Sequence, residues 1–282
     1  MSDFAAKWDQ VGERLYEIGV DRGMFYPLGA SGSYGTGEAW SGLSNVTNKP
    51  EGADVNDIWA DNMKYLSIRA AEKFGATIEC YSYPDGFKAC NGEEEAVAGV
   101  VVSGQTRKAF GFSFRSRIGN DTMFQDYGYK IHLIYNATAS PVERSYGTIN
   151  DSTDVDAMSY DVETTGVKLT TKVNGEELKP TSHIEIDSTK FQSTAAKAAL
   201  AAFEEMIYGK VEYTSAGTIS EWAANTDYYT RSGSEGSYVY TLVDKTVVTE
   251  PASGVTYYTA TVTAPALPDP DTVISMLTVA NG

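Results

Sequence analysis

TRKAFGFSFRSRIGNDTMFQDYGYKIHLIYNATASPVERSYGTI, residues 106–149, decides the fold because two strand patterns flank one polar stretch. Phe110, Phe112 and Phe114 alternate with Ala109, Gly111, Ser113 and Arg115, the period of two expected of a sheet with one buried face. In the second pattern Tyr129, Ile131, Leu133 and Tyr135 share a face, Lys130, His132 and Asn136 share the other, and Ile134 is an apolar exception. The two patterns read as a hairpin. Between them, Ile118 to Gly128 is too long for a tight turn and reads as a loop that reaches for another surface.

Composition supports a mainly β chain. Its 26 glycines and 19 tyrosines accompany long runs of Thr, Val and Ser, which favour pleated, half-buried strands over helices. The net charge of -16 argues against a protein that wraps nucleic acid by neutralising phosphates. No apolar run approaches membrane-spanning length, and Met1-Ser2-Asp3 opens without the basic and apolar regions of a signal peptide, so a cytoplasmic origin without membrane contact is expected. In that reducing compartment Cys80 and Cys90 read as two buried or half-buried thiols.

Along the chain, Leu15–Val20 and Met24–Pro27 read as two short strands around an Asp21-Arg22-Gly23 turn. Residues 29–37, GASGSYGTG, read as a connector with little capacity to pack, and they lack the spacing of a phosphate loop. Trp40–Thr47 is a weak strand pattern and Asn48–Asp57 a loop; Met63–Arg69 and Phe74–Tyr83 are strand patterns. Glu93-Glu94-Glu95 reads as a solvated loop before Val97–Val102. Further strands are expected at Met158–Thr164, Val167–Val173 and His183–Asp187.

One long helix is expected from Ser193 to Tyr208, stopped by Gly209, with Ala196, Leu200, Phe203 and Ile207 forming one apolar stripe. Lys190 and Lys197 near its start and Glu204 and Glu205 near its end oppose the helix dipole, so packing must hold it. Residues 210–263 change to aromatic-Thr strands, with Tyr-Tyr-Thr at 228–230 and again at 257–259. They read as an inserted small β-module, leaving residues 1–209 and 264–282 as one main domain.

The chemical motifs are absent. No GxSxG, HExxH, P-loop or dinucleotide fingerprint occurs, so no catalytic residue, cofactor or metal set is assigned. His132 and His183 lie on separate strand patterns and read as sheet histidines, while Asp151, Asp154 and Asp156 lack the glycine and terminal glutamate of a calcium loop.

Three separated phrases carry a family resemblance: VGERLYEIGVDRGMFYP at 11–27, FGFSFRSRIGNDTMFQDYGYKIHLIY at 110–135 and ALPDPDTVISML at 266–277. In this order they resemble the major tail proteins, or tail tube proteins, of long-tailed bacteriophages of Gram-positive bacteria. The resemblance spans about Trp8 to Tyr208 and the last twenty residues. It implies a tail-tube-type β-sandwich or barrel with one packed helix, and six-subunit rings that stack into a hollow conduit for DNA. Its expected partners are further copies of the chain and the tape measure, tail terminator and distal tail proteins, and its expected place is the virion tail.

Within that expectation Ile118, Asn120, Asp121, Met123, Phe124 and Tyr127 form a ring-stacking loop, helped by both chain ends. Arg107, Gly111, Ser113, Arg115 and Arg117 would lie at the lumen or at a subunit boundary. DNA would pass a net-negative wall without specific binding. The alternative is a virion surface module whose Tyr228, Tyr229, Tyr257 and Tyr258 grip carbohydrate or a host surface, against the simpler role of cross-strand packing.

Overall fold

The computed structural model describes residues 8–278 except 53, 70, 71, 149–154 and 174; Asp151 and Asp154 of the calcium pattern lie outside the described residues. The chain is mainly β, with several antiparallel sheets. In order it forms β1 (Tyr16–Pro27), β2 (Glu38–Trp40), β3 (Leu43–Gly52), β4 (Val55–Ala60), β5 (Met63–Arg69), β6 (Glu72–Cys80), β7 (Glu93–Val97), β8 (Val100–Ser103), β9 (Phe110–Asn120) and β10 (Phe124–Ala139). β11 (Met158–Thr164), β12 (Lys172–Val173), β13 (Glu176–Glu177) and β14 (His183–Asp187) lead to helix α1 (Thr194–Tyr208). Then come β15 (Lys210–Gly217), β16 (Tyr229–Ser232), β17 (Val239–Leu242), β18 (Tyr257–Thr263) and helix α2 (Pro270–Thr278).

The main sheet runs β2-β1-β9-β10-β11-β6-β3, with β14 paired to β10 as a branch. β10 is the centre. Along one side it pairs with β9; along the other, Lys130–Ile134 pair with β14 and Ala137–Ala139 with β11. The change of partner falls at Asn136, whose φ of 47° lies in the left-handed region that asparagine tolerates. The Tyr34 hydroxyl accepts from the Asn136 N–H at 2.9 Å and donates to its Oδ1 at 3.2 Å, holding that bulge. The glycine-rich connector therefore does pack, through Tyr34, whose ring lies 6.1 Å from that of Tyr135.

Two cores lie on opposite faces of this sheet. On one face, Phe110, Phe112 and Phe114 meet Phe25, Trp40, Ile78, Tyr160 and Phe87, the last supplied by the 3-10 turn Asp85–Ala89. Trp40 and Phe87 lie 4.6 Å apart between ring centroids, and the Trp40 indole N–H donates to the Ser82 carbonyl at 2.8 Å. Cys80 and Cys90 are buried free thiols in this core, as expected; burial pushes the Cys90 thiol up to about 12. On the other face Met24, Tyr26, Ile131, Leu133 and Tyr135 lie under α1 and α2. Because both faces are covered, Ile134 is no exception: it points into the first core while Ile131 and Leu133 point into the second.

α1 bears out its sequence pattern. Ser193 caps it, its Oγ accepting from the Ala196 N–H at 3.0 Å, and Ala196, Leu200, Phe203 and Ile207 are its buried residues. The opposing charges are compensated locally: Glu204 meets Arg22 at 3.6 Å and the Tyr129 hydroxyl, and Glu205 meets Lys210 at 2.9 Å.

Several expectations are corrected. Asp21-Arg22-Gly23 does not reverse the chain; it is an irregularity within one continuous β1, with Arg22 at φ 51° and shifts of register against β9 at Asp21. Most of Asn48–Asp57 is strand, belonging to β3 and β4, and Glu93–Glu95 begin a hairpin, β7 with β8. Val167–Val173 is strand only at its end, apart from a bridge between Val167 and Thr181. The C-terminal end, expected to help ring stacking, forms a second helix, α2, whose Val273 and Leu277 are buried in the chain's own second core.

Residues 210–263 fold into their own four-stranded sheet, ordered β15-β18-β16-β17. Its two ends meet, because Lys210 pairs with Thr263, and Gly209 is followed in space by Pro265. The main domain then resumes: the Ala266 N–H donates to the Met206 carbonyl at 2.9 Å and Leu267 is buried. Removing 210–264 and joining Gly209 to Pro265 through a short glycine linker is expected to leave a cooperatively unfolding main domain. Loss of that transition in circular dichroism would make the segment part of the main core.

Candidate functional site

The ribbon made by β4 and β5 leaves its large apolar side chains exposed. Asp61 and Asn62 both take positive φ, 51° and 61°, which suits a two-residue hairpin turn. Below the turn, Val55 pairs with Arg69, and Gly52 pairs with Glu72 on β3 and β6, a constant register that makes the ribbon an extension of the β3–β6 hairpin. Asp57 ties the strands, accepting from Ser67 at 2.7 Å and from Lys64 at 2.8 Å.

No third strand joins β4 and β5 among the described residues. Ile58, Leu66 and Ile68 are exposed on one side, and Trp59 and Tyr65 are 67% and 72% exposed. A lone two-stranded ribbon is marginally stable in water, and each large apolar side chain gains about 1.5–3 kcal/mol if fully covered. The chemistry available here is therefore association. Val97, Val100, Val101 and Val102 on the β7–β8 hairpin form a second exposed apolar surface.

The expected ring-stacking residues divide. β9 runs to Asn120 and β10 starts at Phe124, so the long loop is a three-residue turn, Asp121 to Met123. Two extra residues of β10 between Phe124 and Gly128 absorb the sequence length as a bulge. Ile118 and Asn120 are buried, which removes them from an outer contact. Asn120 Oδ1 accepts from the Thr122 and Met123 N–H groups while its amide donates to the Gly12 carbonyl. Asp121 Oδ1 accepts from the Gly12 N–H at 2.9 Å, so the segment before β1 is fastened to this tip. Met123, Phe124 and Tyr127 are exposed there, with Val11, Leu15 and Ile18 exposed on the adjoining segment.

The expected lumen residues also separate. Gly111 and Ser113 face the second core: a Cβ at Gly111 would meet Leu267 at 2.4 Å and Tyr34 at 2.8 Å, and Ser113 is buried 3.3 Å from the Tyr26 hydroxyl. Their small size admits the chain's own helical layer, so neither is open to a channel or a neighbour. Arg107 precedes β9 and bonds to Asn91 and to the Ala139 and Ser140 carbonyls. Arg115 and Arg117 do share a face, and both grip Asp21, at 2.6 Å and 3.1 Å. The Arg115 hydrogen bond holds the Asp21 carboxyl below its ordinary range.

Distance in sequence hid one cluster. His132 and His183 stack 5.6 Å apart, inside a column continued by Phe114 and Phe74. Ser116 lies 2.9 Å from His132, the spacing of a nucleophile and its base, yet its hydroxyl proton goes to Glu17. Among the described residues no group of three or more His, Cys, Asp or Glu side chains could hold a metal ion. No helix among them is long and apolar enough to cross a membrane.

The ribbon does not emerge from the sequence reading because Asn48–Asp57 reads as a loop there and Ile58 and Trp59 fall in no strand pattern. The available signal was Asp61-Asn62, a two-residue turn between Val55–Ala60 and Met63–Arg69. No family model matches the chain, and no curated protein matches it.

Proposed function

We propose that the chain is a structural virion protein that polymerises as stacked rings, six subunits in each by resemblance, to form the tail tube of a long-tailed bacteriophage. The observation that carries the reading is the β4–β5 ribbon, which presents Trp59, Tyr65, Ile58, Leu66 and Ile68 to solvent and has no cover among the described residues. The three phrases at 11–27, 110–135 and 266–277 supply the family. Assembly would bury the ribbon against another copy and give its apolar side chains the cover they lack. The tube would be built in the host cytoplasm, end as part of the virion tail, contact tape measure, terminator and distal tail proteins, and let DNA pass without specific binding.

The double variant Trp59→Ser/Tyr65→Ser tests this. Both side chains are exposed in the single chain, so its unfolding midpoint is expected to move little, within about 0.5 kcal/mol per site. Rings and tubes seen by electron microscopy for the unaltered protein at high concentration should disappear. Tubes of normal length from the double variant would remove the ribbon from assembly, and unaltered protein that stays monomeric at all concentrations would overturn the reading.

A further inference from the structure

The four-stranded sheet of residues 210–263 has two unlike faces. Cross-strand pairs Arg231 with Tyr240, Tyr229 with Tyr258 and Tyr213 with Ala260 place tyrosines and one arginine on the same side. On the opposite side Tyr257 is covered by Trp222, 5.0 Å away between ring centroids, and by Tyr228. The tyrosine side is more open: Tyr238 and Arg231 are exposed and Tyr213, Tyr229 and Tyr240 half-buried, while Tyr258 is buried against Tyr240 and Arg231.

These side chains hold one another in place. Tyr213 and Tyr240 stack at 3.9 Å, Tyr229 meets Tyr213 edge-on at 5.1 Å, and Tyr258 meets Tyr240 edge-on at 5.2 Å. The Arg231 guanidinium lies 4.0 Å from the Tyr238 ring centre and 4.8 Å from that of Tyr258. It forms no ion pair among the described residues, although the chain carries a net charge of -16. None of the five tyrosine hydroxyls has a hydrogen-bond partner within the described chain. The face is thus rigid, aromatic, and edged with donors and acceptors that the fold itself does not use.

We propose that this face binds carbohydrate. A pyranose offers apolar C–H patches for aromatic ring faces and hydroxyls for phenols and guanidinium, and rings already locked by cross-strand packing lose little freedom on binding. A second copy of the chain is the competing occupant, since Val211, Leu242 and Val262 are exposed on the same side, but the phenols and guanidinium between them offer hydrogen-bonding groups that a sugar can use. The site is separate from the β4–β5 ribbon, so glycan binding and assembly fail independently.

The test is calorimetric titration of the full chain with chitohexaose, maltohexaose, laminarihexaose and mannohexaose. At least one is expected to bind with Kd below about 1 mM. The triple variant Tyr213→Phe/Tyr238→Phe/Tyr240→Phe keeps every ring and removes only hydroxyls without partners in the fold, so it should unfold as the parent does yet bind at least about tenfold more weakly. Trp59→Ser/Tyr65→Ser should bind with unchanged affinity. Absence of binding to all four probes, or equal affinity in the triple variant, would overturn the proposal. So would a dimer in sedimentation that Tyr238→Asp abolishes, since it would place a second copy on the face.

Discussion

Phe203→Ala is expected to destabilise the chain by about 3–5 kcal/mol, read as a lower denaturant midpoint with unchanged slope. Phe203 is fully buried in the layer that α1 shares with Tyr26, Ile131 and Leu133. Alanine there would leave a cavity that the neighbouring strands are too tightly paired to fill. The helix has little else to hold it. Its end charges oppose the dipole, and the ion pairs of Glu204 and Glu205 are open to solvent, where such pairs add little. Lys197→Ala, on the exposed side of the same helix, is expected to change stability by less than about 0.5 kcal/mol. Equal losses from the two variants would mean that helix propensity, and not packing, holds α1.

The helix was legible because its signals agree: a serine cap, apolar residues at 196, 200, 203 and 207, and a glycine stop. The Phe110, Phe112, Phe114 face was legible for the same reason, a period of two with one destination. Polar length misled at 118–128, where a buried asparagine turns the chain in three residues and a bulge hides two more. Gly111 and Ser113 misled because small residues on a strand fit a lumen or a close helical layer equally well, and only the second core shows what covers them. The exposed ribbon was illegible as a site, since an apolar strand pattern does not say whether its partner lies in the same chain.

The unfolding free energy is expected to fall by about 3 kcal/mol as pH drops from 6.5 to 4, with the stacked His132–His183 pair as the main source. Hydrogen bonding fixes the pair neutral. The single Ser116 proton goes to Glu17, because a carboxylate only accepts, so His132 must donate from Nε2 to Ser116 Oγ at 2.9 Å. His132 Nδ1 is then free to accept from His183 Nε2, 3.4 Å away. A proton added at Nδ1 would set two N–H groups against each other. Burial lowers both histidines, His183 to about 4. The surrounding charges are Glu17, Glu185 and Lys130, which bridges the two carboxylates at 2.9 Å and 2.8 Å. The attraction of Glu185 and Glu17 for a protonated His132 is outweighed by its burial, and Lys130 opposes it. The unfolded chain binds protons below pH 6.5 and the folded chain does not until about 4, so stability is present above 6.5 and lost through that window. Glu17 and Asp21, whose carboxyls are lowered in the fold, add a loss that sets in as the pH falls to their ordinary values of 4.5 and 3.8 and is completed below them. His183→Gln separates the two effects: its amide can still donate to His132 but does not titrate. Its absolute stability should be lower, since the stack on Phe74 is lost, while its slope between pH 6.5 and 4.5 should be much shallower than that of the parent. Parallel slopes in denaturant titrations of the two proteins would show that the acid sensitivity arises elsewhere.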